Sequence, residues 1–283
     1  MKTGLILEGG GMRGIFTAGV LDFFLEKDLE FSECLAVSAG ACHACSFLAK
    51  QKGRAYAVGT DYLDNRRYCS LYSLLTTGEL FGSKFLYHEI PEKLYPIDNE
   101  TFKKSKTVFR PVVTSCETGQ AEYPRLRDMF ADIGLVRASA ALPLVAHPVM
   151  INGHPCLDGG SADSIPLQKA IDLGCKKNVV VLTQHRGYRK SPNRMIGLIA
   201  LKYRKYPKFV ETLRNRHNVY NETLERVRQA EADGTAFVIA PPEPLELGRV
   251  EKNRDKLEAV YRLGYREAEK QYGALCAYLE KKS

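Results

Sequence analysis

No stretch of this 283-residue chain approaches the length of apolar residues that crosses a bilayer. The apolar run after Lys2 is only Leu5–Leu7 before Glu8 interrupts it, too short for the core of an export signal, so a cytoplasmic protein is expected. There is no repeat period, no low-complexity tract and no linker convincing enough to separate independent domains. The eight cysteines (34, 42, 45, 69, 116, 156, 175 and 276) sit mostly beside apolar residues. In a reducing compartment they read as small hydrophobes rather than a disulfide framework. What remains is an ordinary globular composition, 45% hydrophobic and 26% charged, long enough to bury a substantial core. Charge is unbalanced, with 41 Lys+Arg against 33 Asp+Glu and a net +8. This favours anionic surfaces (phospholipid headgroups, nucleic acid or acidic substrates) without choosing among them.

Leu5-Ile6-Leu7 ending in Gly9-Gly10-Gly11 fits a buried parallel strand entering a tight turn. A helix follows over 15–27, a second strand over 33–37 meets Ser38, and a helix of small residues runs over 39–49. This β-turn-α-β-turn-α order is the signature of an α/β fold with a parallel sheet. Further strands are expected at 108–115, 179–183 and 236–240. Asn152-Gly153 makes a hairpin turn that delivers the chain to Asp158-Gly159-Gly160. Residues 56–106 read as helices and loops over the sheet. The expected architecture is a three-layer α/β/α sandwich with a mainly parallel central sheet over 1–190. A mainly helical, basic region over 191–283, with apolar residues at helical spacing over 250–282, packs on it.

Three local features carry chemistry. Gly9-Gly10-Gly11-Met12-Arg13-Gly14 lies between a strand and a helix, where successive N–H groups can hold a phosphate or the oxyanion of a tetrahedral intermediate. It also matches G-x-G-x-x-G. A dinucleotide site, however, wants an acid at the end of the second strand, and Glu33 stands near that strand's beginning. Ala36-Val37-Ser38-Ala39-Gly40 has the shape of a nucleophile elbow, whose positions two before and two after the serine must be small. Gly40 obeys, and Ala36 adds one methyl group; a helix-capping serine would need no chemistry at all. Asp158-Gly159-Gly160 could be a simple turn, yet a serine nucleophile needs a base, and burial would raise an aspartate's low basicity.

In this order the three features resemble the patatin-like phospholipase family, with weaker similarity at Val113–Gly119 and at Ala138–Pro143. The resemblance covers about residues 4–172; that of the C-terminal third, to the extension of a bacterial subgroup, is less specific. It implies a Ser38–Asp158 dyad, oxyanion N–H groups in the Gly9, Gly10, Gly11, Gly14 loop with Arg13 supporting it, and hydrolysis of lipid acyl esters through an acyl-enzyme. Ala36 is the departure from the family pattern. No metal or organic cofactor is required.

Other constellations compete. His185 follows a predicted strand, and a Ser38–Asp158–His185 triad has the chain order of α/β-hydrolases. Cys42-His43-Ala44-Cys45 supplies only half a metal site, with no second C-x-x-C, and His43 is expected to point away from Ser38. His147 and His154 are expected to be structural. Lys202, Arg204, Lys205 and Lys208, interleaved with Tyr203 and Tyr206, suit peripheral contact with an anionic membrane. They also suit RNA or plain solvent, although nucleic acid is not the expected partner. A non-catalytic lipid-binding protein on the same fold stays open as an alternative.

Overall fold

The computed structural model describes residues 1–248 and 250–281. The chain begins with β1 (Thr3–Leu7), α1 (Ile15–Glu26), β2 (Glu33–Ala36) and α2 (Ala39–Leu48). There follow α3 (Arg54–Thr60), α4 (Leu71–Thr77), a π-helix over Phe85–Leu94 and α5 (Asn99–Lys104). Next are β3 (Val108–Pro111), β4 (Val113–Ser115), β5 (Ala121–Glu122), α6 (Ile133–Ser139), β6 (Val149–Ile151) and β7 (His154–Asp158). The chain then forms α7 (Leu167–Asp172), β8 (Lys177–Val181), α8 (Ile196–Lys202), α9 (Pro207–Ala232), β9 (Ala236–Ile239) and α10 (Arg254–Glu280).

Five strands form a parallel sheet in the order β3-β2-β1-β8-β9. Its strands are covered on both faces, and alternate side chains go to opposite layers. Leu5 and Leu7 join the core under α1, α2 and α10, whereas Ile6 joins the core under α7 and α9. That makes three layers. The chain leaves β1 for β2 on one side and returns at β8 on the other, so the order reverses at β1. Crevices that hold ligands form at such reversals, outside the carboxyl ends of the strands.

The strand predicted over 108–115 is two strands in two sheets. Val112 N–H still bonds the Ala36 carbonyl at 2.9 Å, but Val113 already pairs with Asp158 in a four-stranded antiparallel sheet, β5-β4-β7-β6. An unbroken apolar run cannot reveal this change of partner. In the β6–β7 hairpin Asn152 and Gly153 take φ of 49° and 87°, as the turn requires.

Residues after 190 supply a strand as well as helices, since β9 extends the parallel sheet beside β8. The last predicted helix starts at Arg254, where the Asn253 side chain accepts from Lys256 N–H; Lys282 lies outside the described residues. α10 lies directly on α1. A Cβ on Gly19 would land on the Tyr261 carbonyl oxygen, and one on Gly264 on that of Phe16, so the two backbones touch there. Tyr261 and Tyr265 hydroxyls donate to Asp22 and Glu26, both at 2.7 Å, and Phe23 stacks edge-on with Tyr265 and Tyr272. Among the described residues no helix is long and apolar enough to cross a membrane.

Candidate active site

Ser38 sits between β2 and α2 with φ 53° and ψ −122°, a backbone conformation that side-chain-bearing residues rarely adopt. Such strain at a strand-to-helix turn is how a nucleophile elbow presents its hydroxyl. The turn needs α2 pressed against β1: a Cβ on Gly40 would stand 2.9 Å from the carbonyl oxygens of both Leu7 and Glu8. Ala36 pairs with Leu7 and Pro111 inside the sheet, and the elbow forms with its methyl group fully buried. Ser38 N–H donates to Ser139 Oγ at 3.0 Å, which pins the elbow and takes that N–H out of use as an oxyanion donor.

The glycine loop packs on Ser38, with the Cβ position of Gly9 2.9 Å from Ser38 Cβ. No hydrogen bond among the described residues is donated by the N–H groups of Gly9, Gly10 or Gly11. These are free donors at the mouth of a helical segment, as an oxyanion requires. Gly9 O accepts from Thr183 Oγ1 at 3.1 Å, which fixes the loop to the end of β8. Gly14 opens α1 against Ala39. Arg13 lines the polar cavity at the loop, but among the described residues its buried Nε has no acceptor and no hydrogen bond ties its guanidinium to the loop.

Asp158 ends β7 and is 4% exposed. Its Oδ1 accepts from Gly160 N–H at 2.7 Å, its N–H bonds the Ala141 carbonyl, and its own carbonyl accepts from Thr114 Oγ1. Gly159 and Gly160 complete this turn, with Gly159 tight against the Val112 carbonyl. One polar cavity is lined by Ser38, Asp158 and all three loop glycines, so the three features far apart in sequence meet. A second, largely apolar cavity also opens at Ser38, between α2, α3 and the π-helix. Leu142 lines both.

Four residues of the site had no role in the sequence reading. Ser139 lies in the Ala138–Pro143 stretch, whose similarity to the family carried no mechanism. Glu8, at the end of β1, accepts from Thr183 N–H at 2.7 Å and from the Tyr220 hydroxyl at 2.5 Å. Burial raises its carboxyl above the ordinary carboxylate range, against the opposing pull of Tyr220, Thr183 and Lys190. Arg216 bonds the Gly160 carbonyl through Nε and Ser164 Oγ through Nη2 at 3.3 Å. Arg216 and Tyr220 are four residues apart on α9, hence on one face, and brace the two halves of the site. Spacing alone marks that face as inward but not what it meets.

His185 lines neither cavity: its Nδ1 accepts from Gly187 N–H in an exposed turn. His43, expected to point away, instead lines the apolar cavity with Ser38. Burial pulls its pKa down to about 4, so it is neutral at pH 7. Cys42 is pushed up to about 12 by burial. Glu33 is held by Lys2 and Arg110, both at 2.9 Å, far from any ribose the glycine loop could present. Tyr203, read as an interfacial ring, turns inward and packs edge-on against Phe209. His147 Nε2 meets the Thr77 carbonyl and His154 Nε2 meets Glu122, both at 3.1 Å. Glu122, His154 and Cys156 bring ligand atoms within 4.8 Å of one another, with burial holding the Cys156 thiol up at about 12.

Residues 5–171 match the model of the family described as patatin-like phospholipase, and 206–280 match a domain family of unknown function, DUF6363. The uncharacterized protein YjjU of Escherichia coli (strain K12) is 26% identical over 275 residues, 93% of this chain and 75% of that protein. The probable lipid hydrolase 463L of Invertebrate iridescent virus 6 is 27% identical over 191 residues, 62% of this chain and 65% of the viral protein. Among solved structures, VipD from Legionella pneumophila superposes with a TM-score of 0.49 at 12% identity, covering 96% of this chain and 67% of that one. The phospholipase model spans more than half of the chain, and the protein therefore belongs to the patatin-like phospholipase family, a family of lipid hydrolases.

Proposed function

We propose that this protein hydrolyses acyl esters of lipids with Ser38 as nucleophile and Asp158 as its base. The observation that carries the reading is the strained Ser38 backbone, facing one cavity together with Asp158 and three uncommitted glycine N–H groups. In this mechanism Asp158 takes the Ser38 proton as Oγ attacks the ester carbonyl. The N–H groups of Gly10 and Gly11 receive the oxyanion, and Asp158 returns its proton to the departing alcohol. Water then attacks the acyl-enzyme, with Asp158 again as base. Neither His43, neutral and on the apolar side, nor His185 takes part. A fluorophosphonate probe tests the reading: it is expected to label the wild type at Ser38 and leave Ser38→Ala unlabelled. An unlabelled wild type would favour a non-catalytic lipid-binding role.

The substrate would be met at an anionic lipid surface. Leu71 and Leu75 on α4 and Leu198 and Leu201 on α8 are half or more exposed. His147 touches the end of α4 and Lys202 donates to Leu144 O at 3.1 Å, so both helices flank residues 142–147 at the cavity mouth. Exposed Lys202, Arg204, Lys205 and Lys208 lie beside this apolar rim. Each cation near an anionic bilayer contributes about 1 kcal/mol. Neutralising all four to Gln is expected to reduce co-sedimentation with anionic vesicles strongly and to flatten its salt dependence. Equal binding by both proteins at every salt concentration would leave the segment an ordinary solvated surface.

A further inference from the structure

The apolar cavity that opens at Ser38 ends on a buried positive charge. Its walls are mostly aliphatic and aromatic, with Met12, Ile15, Val58, Phe81 and Leu86 among them, yet Arg54 and Ser46 also line it. Arg54, the first residue of α3, is 6% exposed. Its Nε and Nη2 donate to the Tyr95 carbonyl at 3.2 and 2.8 Å, and Nη1 donates to Ser46 Oγ at 3.1 Å. No carboxylate pairs with it among the described residues, and the side chains that act on its charge are the thiol of Cys45 and the phenols of Tyr95 and Tyr62. Three of its five N–H groups are committed, which leaves two. A neutral amide could cap the Tyr95 carbonyl as well, so the backbone does not require a charge here. A desolvated cation without a counter-ion is costly to keep. One that lines the same cavity as the nucleophile is placed to be neutralised by what enters that cavity.

The distance is set by α2. Ser38 precedes its first turn and Ser46 lies near its end, eight residues on, which at 1.5 Å per residue is about 12 Å. An extended chain advances roughly 1.2 Å per bond, so about ten bonds separate the reacting carbonyl from the guanidinium. We propose that the acyl chain lies along α2 and ends in a carboxylate held by Arg54, so that the preferred substrates are esters of medium-length, ω-carboxylated acids. The planar guanidinium suits a carboxylate better than a lysine would. A methyl terminus would bring nothing to neutralise the charge. This inference rests on Ser38 being the nucleophile and adds the identity of the acyl group.

The test uses kcat/KM for mono-4-nitrophenyl esters of straight-chain dicarboxylic acids, with plain 4-nitrophenyl alkanoates of equal length for comparison. Chains ending in trimethylammonium control for solubility. At about ten bonds the carboxylated ester is expected to be preferred by about ten- to a hundredfold, the usual worth of a buried charge-assisted hydrogen-bonded pair. The cationic chain should be rejected. Arg54→Gln, which keeps donors but not charge, should erase the preference, and Arg54→Lys should retain part of it. A wild type that favours the plain or the cationic chain at every length overturns the inference without touching the hydrolase reading, and needs no variant to fold. A preference that survives in Arg54→Gln overturns it equally. Absence of turnover on every ester, with Ser38 unlabelled by fluorophosphonate, would overturn both.

Discussion

Asp158→Asn is expected to lower kcat/KM on a small soluble ester by about a thousandfold or more, the range spanned by loss of a general base that also orients the nucleophile. The amide keeps the shape of the carboxylate, and its oxygen can still accept from Gly160 N–H, so the turn that follows β7 survives. What it loses is the basicity that the proposed mechanism uses to take the Ser38 proton. Ser38→Ala should reach the same floor, and the double variant should be no worse than either, because in the proposed mechanism the two groups act in one step. His185→Ala serves as the comparison and should keep wild-type turnover, since that ring lines neither cavity. Turnover near wild type in Asp158→Asn, with circular dichroism unchanged, would remove Asp158 from the mechanism.

The largest effect on stability is expected at Gly264, far from the chemistry. A side chain there must displace the Phe16 carbonyl, part of the backbone of α1, and no rotamer relieves the clash. Overpacking against backbone costs at the upper end of the 1–3 kcal/mol range or beyond, so Gly264→Val is expected to cost about 3 kcal/mol or more. At roughly 2–4 °C per kcal/mol for a chain of this size, Tm should fall by at least about 6 °C. Gly273→Ala on the same helix is the control. A Cβ there meets nothing, and the exchange should be neutral or stabilise by up to about 1 kcal/mol. Equal melting temperatures for Gly264→Val and wild type would show that α1 and α10 do not bear on each other as described.

What the sequence made legible was local. β1, the glycine loop, α1, β2, Ser38 and α2 follow one another within fifty residues, and each is announced by its own pattern of apolar, small and glycine positions. The hairpin before Asp158 was legible for the same reason, because Asn-Gly has a backbone requirement of its own. Contacts between distant segments left no such mark. Ser139 reaches Ser38 across 101 residues, Tyr220 reaches Glu8 across 212, and Arg216 reaches Gly160 across 56. Each of these residues would read equally well as an ordinary helix position. Val112, where one sheet hands the chain to another, is a valine among valines. Arg54 hides similarly: an arginine beside a glycine and a lysine looks solvated until the π-helix end is placed over it.

The pairing of α1 with α10 has a consequence for synthesis of the chain. The hydroxyls that seal Asp22 and Glu26 arrive 239 residues after them, and Gly264 must meet Phe16 across a similar interval. At about 5–20 residues per second, the ribosome leaves the Phe23 face of α1 without its permanent cover for some ten seconds or more. β1 waits as well, for its neighbour β8 from residues 177–181. The segment over 3–26 thus waits long for its cover, and the glycine loop it carries is fixed to Thr183 only once β8 has been made. Slow codons or a holding chaperone acting while β8 and α10 are being made would therefore bear on the yield of folded protein more than the same intervention before them.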